Sequence, residues 1–355
     1  ALLLRRLRRI CNYYDGYPQF ILSSATLGNA EAFAETLTGL PAKEIFSDGS
    51  PRAKRRFRIY RNPKKSASAA AAEMMQESIR DGRQTICFTK SRTGAEMTAL
   101  RLKEESPADS VASYRGGYRP EERKKIEANL KQGRVSGVVS TNALEVGIDI
   151  GNLDSVIISG YPGSMISVFQ QAGRAGRKGQ EATVTFVAGQ NPIDQFYANN
   201  PDAFFNAKPE EAILGIENPY LLESHLLCAA AELPYRGERD RKYFGENADD
   251  IIADLKNRKL VSSTPRGFVY SGVGNPVLEH TIFGNIGKTW AVICGNTTLE
   301  TMDDGQAYRE AYPGAIIFHQ GERYRVDKIE PEISTIRVRK TADNYHTRPI
   351  SETDI

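Results

Sequence analysis

The chain has 355 residues, with 47 Lys plus Arg against 44 Asp plus Glu, and a net charge of +3 is too small to identify a nucleic-acid partner by itself. Its length favours two or three domains with sizeable cores, and 40% hydrophobic against 26% charged residues is ordinary for a soluble protein. No apolar run approaches the ~20 residues that span a bilayer, and no signal-peptide pattern is present. The scattered Cys11, Cys87, Cys228 and Cys294, without a C-x-x-C pair, give neither a zinc site nor a disulfide framework and point to a reducing cytoplasm.

In chain order, Leu2, Leu3, Leu7 and Ile10 fall at helical spacing, which predicts a first helix with Arg5, Arg6, Arg8 and Arg9 on its wet face. Residues 19–23 read as a strand leading into Ser24-Ala25-Thr26. Residues 52–61 hold six basic residues and no acid. Such a run suits a solvated linker or edge strand, or a contact to a nucleic-acid backbone, where phosphate neutralisation drives binding. A helix is predicted over 69–81, stopped by Gly82. Apolar runs follow at 85–88, 111–114, 135–140, 155–159 and 182–187, with helical stretches at 93–105 and 120–132 between them. Pro120 with Glu121 and Glu122 makes a good first turn, because Pro lacks only an N–H the helix does not need and the acids suit the dipole. This alternation predicts a parallel sheet covered on both faces, with ligands beyond the carboxyl ends of its strands.

Four loops carry candidate chemistry. Residues 138–149 read as a buried strand running into a loop with Ser140, Thr141, Gly147 and Asp149. After the apolar stretch 165–169, Gln170-Gln171-Ala172-Gly173-Arg174-Ala175-Gly176-Arg177 places two arginines three apart, which on a helix puts both guanidinium groups on one face. Such a pair suits a phosphate, because each planar fork binds oxyanions bidentately and keeps its charge. Residues 86–92 end in Thr89-Lys90-Ser91-Arg92 and open a helix whose N-terminal N–H groups suit a phosphate. Tyr114-Arg115-Gly116-Gly117-Tyr118 is a turn before the next helix. Taken singly, the last two are also ordinary structural connections.

Beyond residue 205, Leu222, Leu226 and Ala229 mark a helix over 220–232, with His225 and Cys228 packed on it rather than ligating. A second helix over 248–259 runs into strands at 259–263 and 267–270 around Thr264-Pro265-Arg266, which reads as a winged-helix-like module. Arg266 at the hairpin tip suits a DNA backbone or an ordinary polar turn. Strand runs at 315–319, 323–329 and 334–339 predict a small barrel-like module, where Tyr308, Tyr312, Tyr324 and Tyr345 pack a core or stack on bases.

Residues 138–149 and 170–177 together resemble motifs V and VI of superfamily 2 helicases, Ser24-Ala25-Thr26 resembles motif III, and residues 86–92 resemble motif IV. The turn 114–118 resembles the loop that contacts the tracking strand in these motors. A DEAD-box RNA helicase would usually carry His-Arg-x-Gly-Arg and Ala-Arg-Gly-x-Asp. Gln170-Gln171-Ala172-Gly173-Arg174 and Glu145-Val146-Gly147-Ile148-Asp149 are instead similar to the Hrq-type branch of DNA helicases, which includes mitomycin repair factor A. Residues 191–197, 219–234 and 313–321 are similar to the same branch.

The resemblance implies an α/β fold: a remnant of a first RecA-like domain (1–50), a second RecA-like parallel-sheet motor domain (51–205), a winged-helix-like module (206–278) and a β-rich module (279–355). It implies that Arg174 and Arg177 act as arginine fingers, with Gln170 orienting nucleotide or water. Gly147, Asp149 and Gly173 would line the nucleotide cleft. Thr141, Ser140, Ser91, Arg92, Arg115 and Gly116 would meet nucleic acid, and Ser24 and Thr26 would couple nucleotide state to strand grip. ATP and Mg2+ are the expected cofactors, held mainly by a phosphate loop and acidic pair that this sequence lacks. The chain therefore reads as the C-terminal part of an ATP-dependent 3′→5′ DNA helicase of DNA repair, inactive alone. Its expected partner is single-stranded or tailed duplex DNA, with no membrane and no bound metal site, since the family's cysteine-rich segment is not found before Ile355. A motor-dead nucleic-acid-binding module and an RNA helicase are the alternatives.

Overall fold

Strand burial alternates so that two cores form on opposite faces of one sheet. The computed structural model describes all residues except 46–48, 50–53, 105–109, 146–152, 177–180, 280–286, 344, 346 and 348–355. Six strands, β1 (Arg55–Arg61), β2 (Thr85–Phe88), β3 (Val111–Tyr114), β4 (Gly137–Ser140), β5 (Ser155–Ser159) and β6 (Ala182–Ala188), pair in the order β1-β6-β5-β2-β4-β3. Every pairing is parallel. Ile86, Phe88, Val138, Val156 and Ile158 face one core with Met165 and Val168. Their neighbours Cys87, Val139 and Ile157 face the other, with Met75, Ala95 and Leu102. That period of two is the pleat, and it explains why β2, β4 and β5 are buried at every position and apolar at their centres, with Thr85, Ser140, Ser155 and Ser159 at their ends. This is a RecA-like α/β domain. The basic run supplies an edge strand, β1, whose arginines find protein partners: Arg55 Nε donates to Ala175 O at 2.8 Å and Arg58 Nε to Thr185 Oγ1 at 2.8 Å.

Residues 1–49 and 210–285 form one compact unit, and 50–209 with 286–355 form another. In the first, Leu2 of the helix Leu2–Tyr13 joins the core as expected, but the rest of the helix departs from its expected orientation. Arg6, Arg8 and Arg9 are buried, while Leu3 and Leu7 are 44% and 48% exposed. The arginines turn inward because end groups of other helices offer them acceptors. Arg9 donates to Ala229 O at 2.8 Å and Leu233 O at 2.9 Å, and pairs with the buried Asp240 at 2.9 Å. Arg6 pairs with Glu232, and Arg8 donates to Gly39 O at 2.9 Å. Such donors satisfy carbonyls that a helix terminus leaves without partners. Residues 19–23 do not form the expected strand, since no described strand lies beside them.

The same unit contains helices Pro219–Glu232, Gly237–Phe244 and Ala248–Asn257, followed by β7 (Val261–Thr264) and β8 (Gly267–Tyr270). Leu222, Leu226, Tyr235, Phe244, Ile252, Leu255 and Val261 make its core. Tyr235 bridges Phe268 and adds a third short stretch to the wing. The helix Gly237–Phe244 escaped the sequence reading because only its last two residues are large and apolar.

The second unit also holds a curled sheet, a half-barrel: β9 (Trp290–Cys294), β10 (Thr297–Met302), β11 (Ile316–His319), β12 (Glu322–Glu330) and β13 (Thr335–Lys340), in the order β10-β9-β13-β12-β11. Register shifts at Thr298/Glu300 and Val326/Lys328 supply bends, as bulges do. Tyr312 and Tyr324 pack on its core and Tyr308 meets Trp290 edge-on at 5.4 Å, while the Tyr345 hydroxyl donates to Gly314 O.

A buried ion cluster ties this sheet to the RecA-like one, and it changes the reading of Arg115. Arg115 was expected to meet a nucleic-acid strand, yet it is 2% exposed. Its Nε donates to Glu96 at 2.8 Å, Nη1 to Glu300 of β10, and Nη2 to Phe318 O of β11 at 2.6 Å. Its guanidinium also lies 4.7 Å from the Tyr118 ring centroid. Burial by itself would raise the Glu96 carboxyl, but Arg115, with hydrogen bonds from Arg115, Tyr118 and Ser113, outweighs burial and holds it below its ordinary range. Burial opposes the charge on Arg115, and Glu300 and Glu96 more than restore it. Gly117 stands beside this cluster because a Cβ there would lie 2.7 Å from Glu300 Oε2 and 3.3 Å from Arg115 Nη1.

Candidate nucleotide and nucleic-acid site

The carboxyl ends of β2, β4 and β5 open into a cleft of about 400 Å³, lined among others by Thr89, Lys90, Thr141, Asn142, Glu145 and Gln171. This is where the loop ends of a parallel sheet converge and where ligands of such sheets bind. After β2, Thr89 N donates to Ser140 O at 2.8 Å, so the loops following β2 and β4 run side by side. Lys90 Nζ lies 3.6 Å from Asp194, whose fully buried carboxylate accepts from Tyr161 N at 3.0 Å and Gly189 N at 2.6 Å. Gly160 holds φ +80, a backbone conformation that favours glycine, and a Cβ there would lie 2.9 Å from the flexible Lys90 Cε.

Thr141 precedes the short 3-10 turn Asn142–Leu144 at the cleft wall and is 9% exposed. Ser140 is fully buried and its hydroxyl donates to Thr141 O at 2.8 Å. Ser91 is exposed and caps the helix Arg92–Glu104 by accepting from Gly94 N at 3.0 Å. Arg92 is half-buried next to it. Burial lowers the Arg92 guanidinium, Glu300 opposes that and Arg115 adds to it, yet an arginine stays cationic through such shifts. Gly116 is exposed.

Arg174 corrects the paired-helix expectation. The helix ends at Ala172, and Arg174 lies in the turn that follows. Arg174 O accepts from Leu153 N at 3.0 Å, and Gly176, at φ +116, donates to Leu153 O at 2.9 Å. The Arg174 guanidinium donates to Glu145 O at 2.9 Å, and Gln171 Nε2 donates to Glu145 Oε2 at 2.9 Å. The Gln-Gln-Ala-Gly-Arg segment therefore grips the loop after β4 at both its backbone and its side chain. Gly173 has an ordinary φ of −59°, while a Cβ on it would press on the Phe169 and Gln170 carbonyls at 3.1 Å. Gln170 is half-exposed, one residue from the buried Gln171. Helix phase gives that difference: Met165, Val168 and Gln171 recur every three residues on the inward face. Gly147, Asp149 and Arg177 lie outside the described residues.

Glu145, Gln171, Lys90 and Asp194 were not singled out from the sequence, although all four lie inside segments that were. Ser24 and Thr26 lie in the other unit, with Thr26 N 3.5 Å from Ser24 Oγ. Among the described residues no His, Cys, Asp and Glu cluster could hold a metal, and no helix is long and apolar enough to cross a membrane.

A six-stranded parallel sheet with this cleft at its carboxyl edge defines a helicase-type RecA-like motor domain. Residues 68–179 match the helicase conserved C-terminal domain, and 214–269 match the winged helix domain of the ATP-dependent helicase HRQ1. Over 98% of its length the chain is 35% identical to the uncharacterized ATP-dependent helicase YprA of Bacillus subtilis, covering 48% of that protein. It is 30% identical along its whole length to the ATP-dependent helicase HRQ1 of Saccharomyces cerevisiae, covering 35% of it. The crystal structure of the DUF1998 helicase MrfA bound to DNA and AMPPNP superposes with a TM-score of 0.91 at 35% identity, covering 98% of this chain and 50% of that one. The chain belongs to the Hrq/MrfA-like superfamily 2 helicases. It spans about half the length, or less, of these relatives.

Proposed function

We propose that the chain is the second-motor-domain side of an ATP-dependent 3′→5′ DNA helicase or translocase of DNA repair. The observation that carries this is the grip of Gln171 and Arg174 on Glu145, because it couples the arginine-bearing turn to the Thr141 loop. ATP and Mg2+ are held mainly by groups outside this sequence, so the chain alone does not hydrolyse ATP. Arg174 and Arg177 reach the γ-phosphate as arginine fingers, and Gln170 orients nucleotide or water beside Gly147, Asp149 and Gly173. Thr141, Ser91, Arg92 and Gly116 take single-stranded or tailed duplex DNA by its backbone, with the fully buried Ser140 shaping that loop. Arg115 leaves this set because it is buried and each of its three nitrogens donates within the protein. Ser24 and Thr26 couple nucleotide state to strand grip, and the four segments 1–50, 51–205, 206–278 and 279–355 keep the domain roles given above.

Backbone contacts predict a salt signature. The affinity of the chain for a fluorescent single strand should fall by about tenfold or more between 50 and 200 mM salt, and Thr141→Ala should weaken binding about equally for all base sequences. Affinity indifferent to salt would contradict the phosphate roles.

A further inference from the structure

A second cleft, of about 470 Å³, lies between the RecA-like sheet and the half-barrel of the same unit. Its walls include Met97, Met302, Tyr312, Ile316 and Phe318. Its polar lining comes from Ser91 and Arg92 at the start of the helix Arg92–Glu104, from Arg309 and Glu310, and from the Arg115–Glu300 pair. Two lining groups have buried atoms without a hydrogen-bond partner. Glu300 is 1% exposed, and its Oε1 accepts nothing although Oε2 accepts from Arg115. Arg92 Nη1 likewise donates to nothing. Buried polar atoms are nearly always paired, so an unpartnered acceptor and an unpartnered donor in residues of one cleft wall mark a place for a polar ligand.

The lining also restricts what that ligand is. Arg115, Arg92 and Arg309 are matched in number by Glu96, Glu300 and Glu310 in and beside the cleft, so its interior carries no surplus charge for a free anion. Apolar and aromatic walls beside an unpartnered carboxylate oxygen suit a flat, uncharged group with an N–H donor. A nucleobase has that chemistry, and it arrives joined to a phosphate that the Ser91–Arg92 helix start and the exposed Arg309 can meet. We infer that this cleft receives one nucleotide of the bound strand, its base between Met97, Met302 and Phe318 with an N–H donated to Glu300 Oε1. The inference rests on the proposal that Ser91 and Arg92 meet the DNA backbone. It adds a base-reading pocket shared by the motor domain and the half-barrel.

The test compares, on the complete protein, a fluorescent single strand with an abasic strand of the same length and phosphate count. Wild type should prefer the base-bearing strand about tenfold. Met97→Trp, which fills the cleft from its 38% exposed wall position, should remove the preference and keep the salt dependence. Arg309→Ala, at an exposed position, should weaken both strands by a similar factor, and guards against a folding defect in the tryptophan variant. Equal affinity of wild type for both strands, or a preference that survives Met97→Trp, overturns the pocket while the backbone contacts stand. Displacement of a free mononucleotide such as dAMP by the abasic strand, with no base preference among strands, assigns the cleft to a free nucleotide and also overturns it. Loss of all strand binding in wild type refutes the underlying DNA reading instead.

Discussion

A guanidinium only 2% exposed is stabilising only while its acceptors remain in place, because an uncompensated buried charge costs far more than the intact pair returns. Arg115 holds Glu96, Glu300 and the Phe318 carbonyl at once, and a truncation leaves two buried carboxylates facing each other. Arg115→Ala should therefore destabilise its unit by about 3–5 kcal/mol, read as a lowered denaturant midpoint. A loss below about 1 kcal/mol would contradict the anchoring role. The spacing Tyr-Arg-Gly-Gly-Tyr revealed a turn, and the turn is there. It could not reveal the partner, since Glu300 stands 185 residues further along the chain. The same reasoning applies to Gly117, whose missing Cβ matters only once Glu300 and Arg92 are seen beside it.

At the scale of elements, the central strands β2, β4 and β5 were legible because they bury both faces around short apolar runs, whereas the edge strand β1 reads as a basic run. The helices Arg92–Glu104 and Pro120–Lys131 begin and end within a residue or so of their expected bounds, set by caps and by Pro120. The first helix was misread for a definite reason. Periodicity reports which face is apolar, but Arg6, Arg8 and Arg9 face inward because carbonyls and Asp240 from distant segments receive them. Two substitutions separate these readings. Leu7→Glu, at an exposed position, should change stability by no more than about 0.5 kcal/mol. Arg9→Leu should cost about 3–5 kcal/mol, because it leaves Asp240 buried with reduced compensation. Equal effects of the two, measured by chemical denaturation, would restore the expected orientation. In the candidate site, Thr89, Lys90, Thr141 and Gln171 line one cleft, while Gly147, Asp149 and Arg177 lie outside the described residues. The helix argument for Arg174 failed because the helix stops at Ala172, where the backbone turns to meet Leu153.

For the whole molecule, pH dependence follows from two buried groups near the Arg115 cluster. Burial, with Arg115 adding to it, depresses His319 below 6.5, so as pH falls the unfolded chain takes up this proton before the folded one. Glu96 is held below 4.5 in the folded state, so its contribution is present above that value and lost as pH falls through the folded one. Both act in the same direction. Stability of this unit should be level above about pH 7, decline from about 6.5, and decline further below about 4.5. His319→Gln should flatten the first decline in a urea-denaturation series, and an unchanged profile in that variant would remove His319 from the account. The relatives identify an ATP-dependent helicase family, and the proposed function makes the arginine-bearing turn, which holds Glu145 through Gln171 and Arg174, the place to test it. The most direct measurement is DNA-stimulated ATP hydrolysis by the complete protein, comparing wild type with Arg174→Ala and Arg177→Ala while nucleotide binding is followed separately. The account predicts turnover lower by about 10³-fold or more with nucleotide binding largely retained. Unchanged turnover in both variants would contradict it and leave the Gly-Arg-Ala-Gly-Arg segment a structural turn.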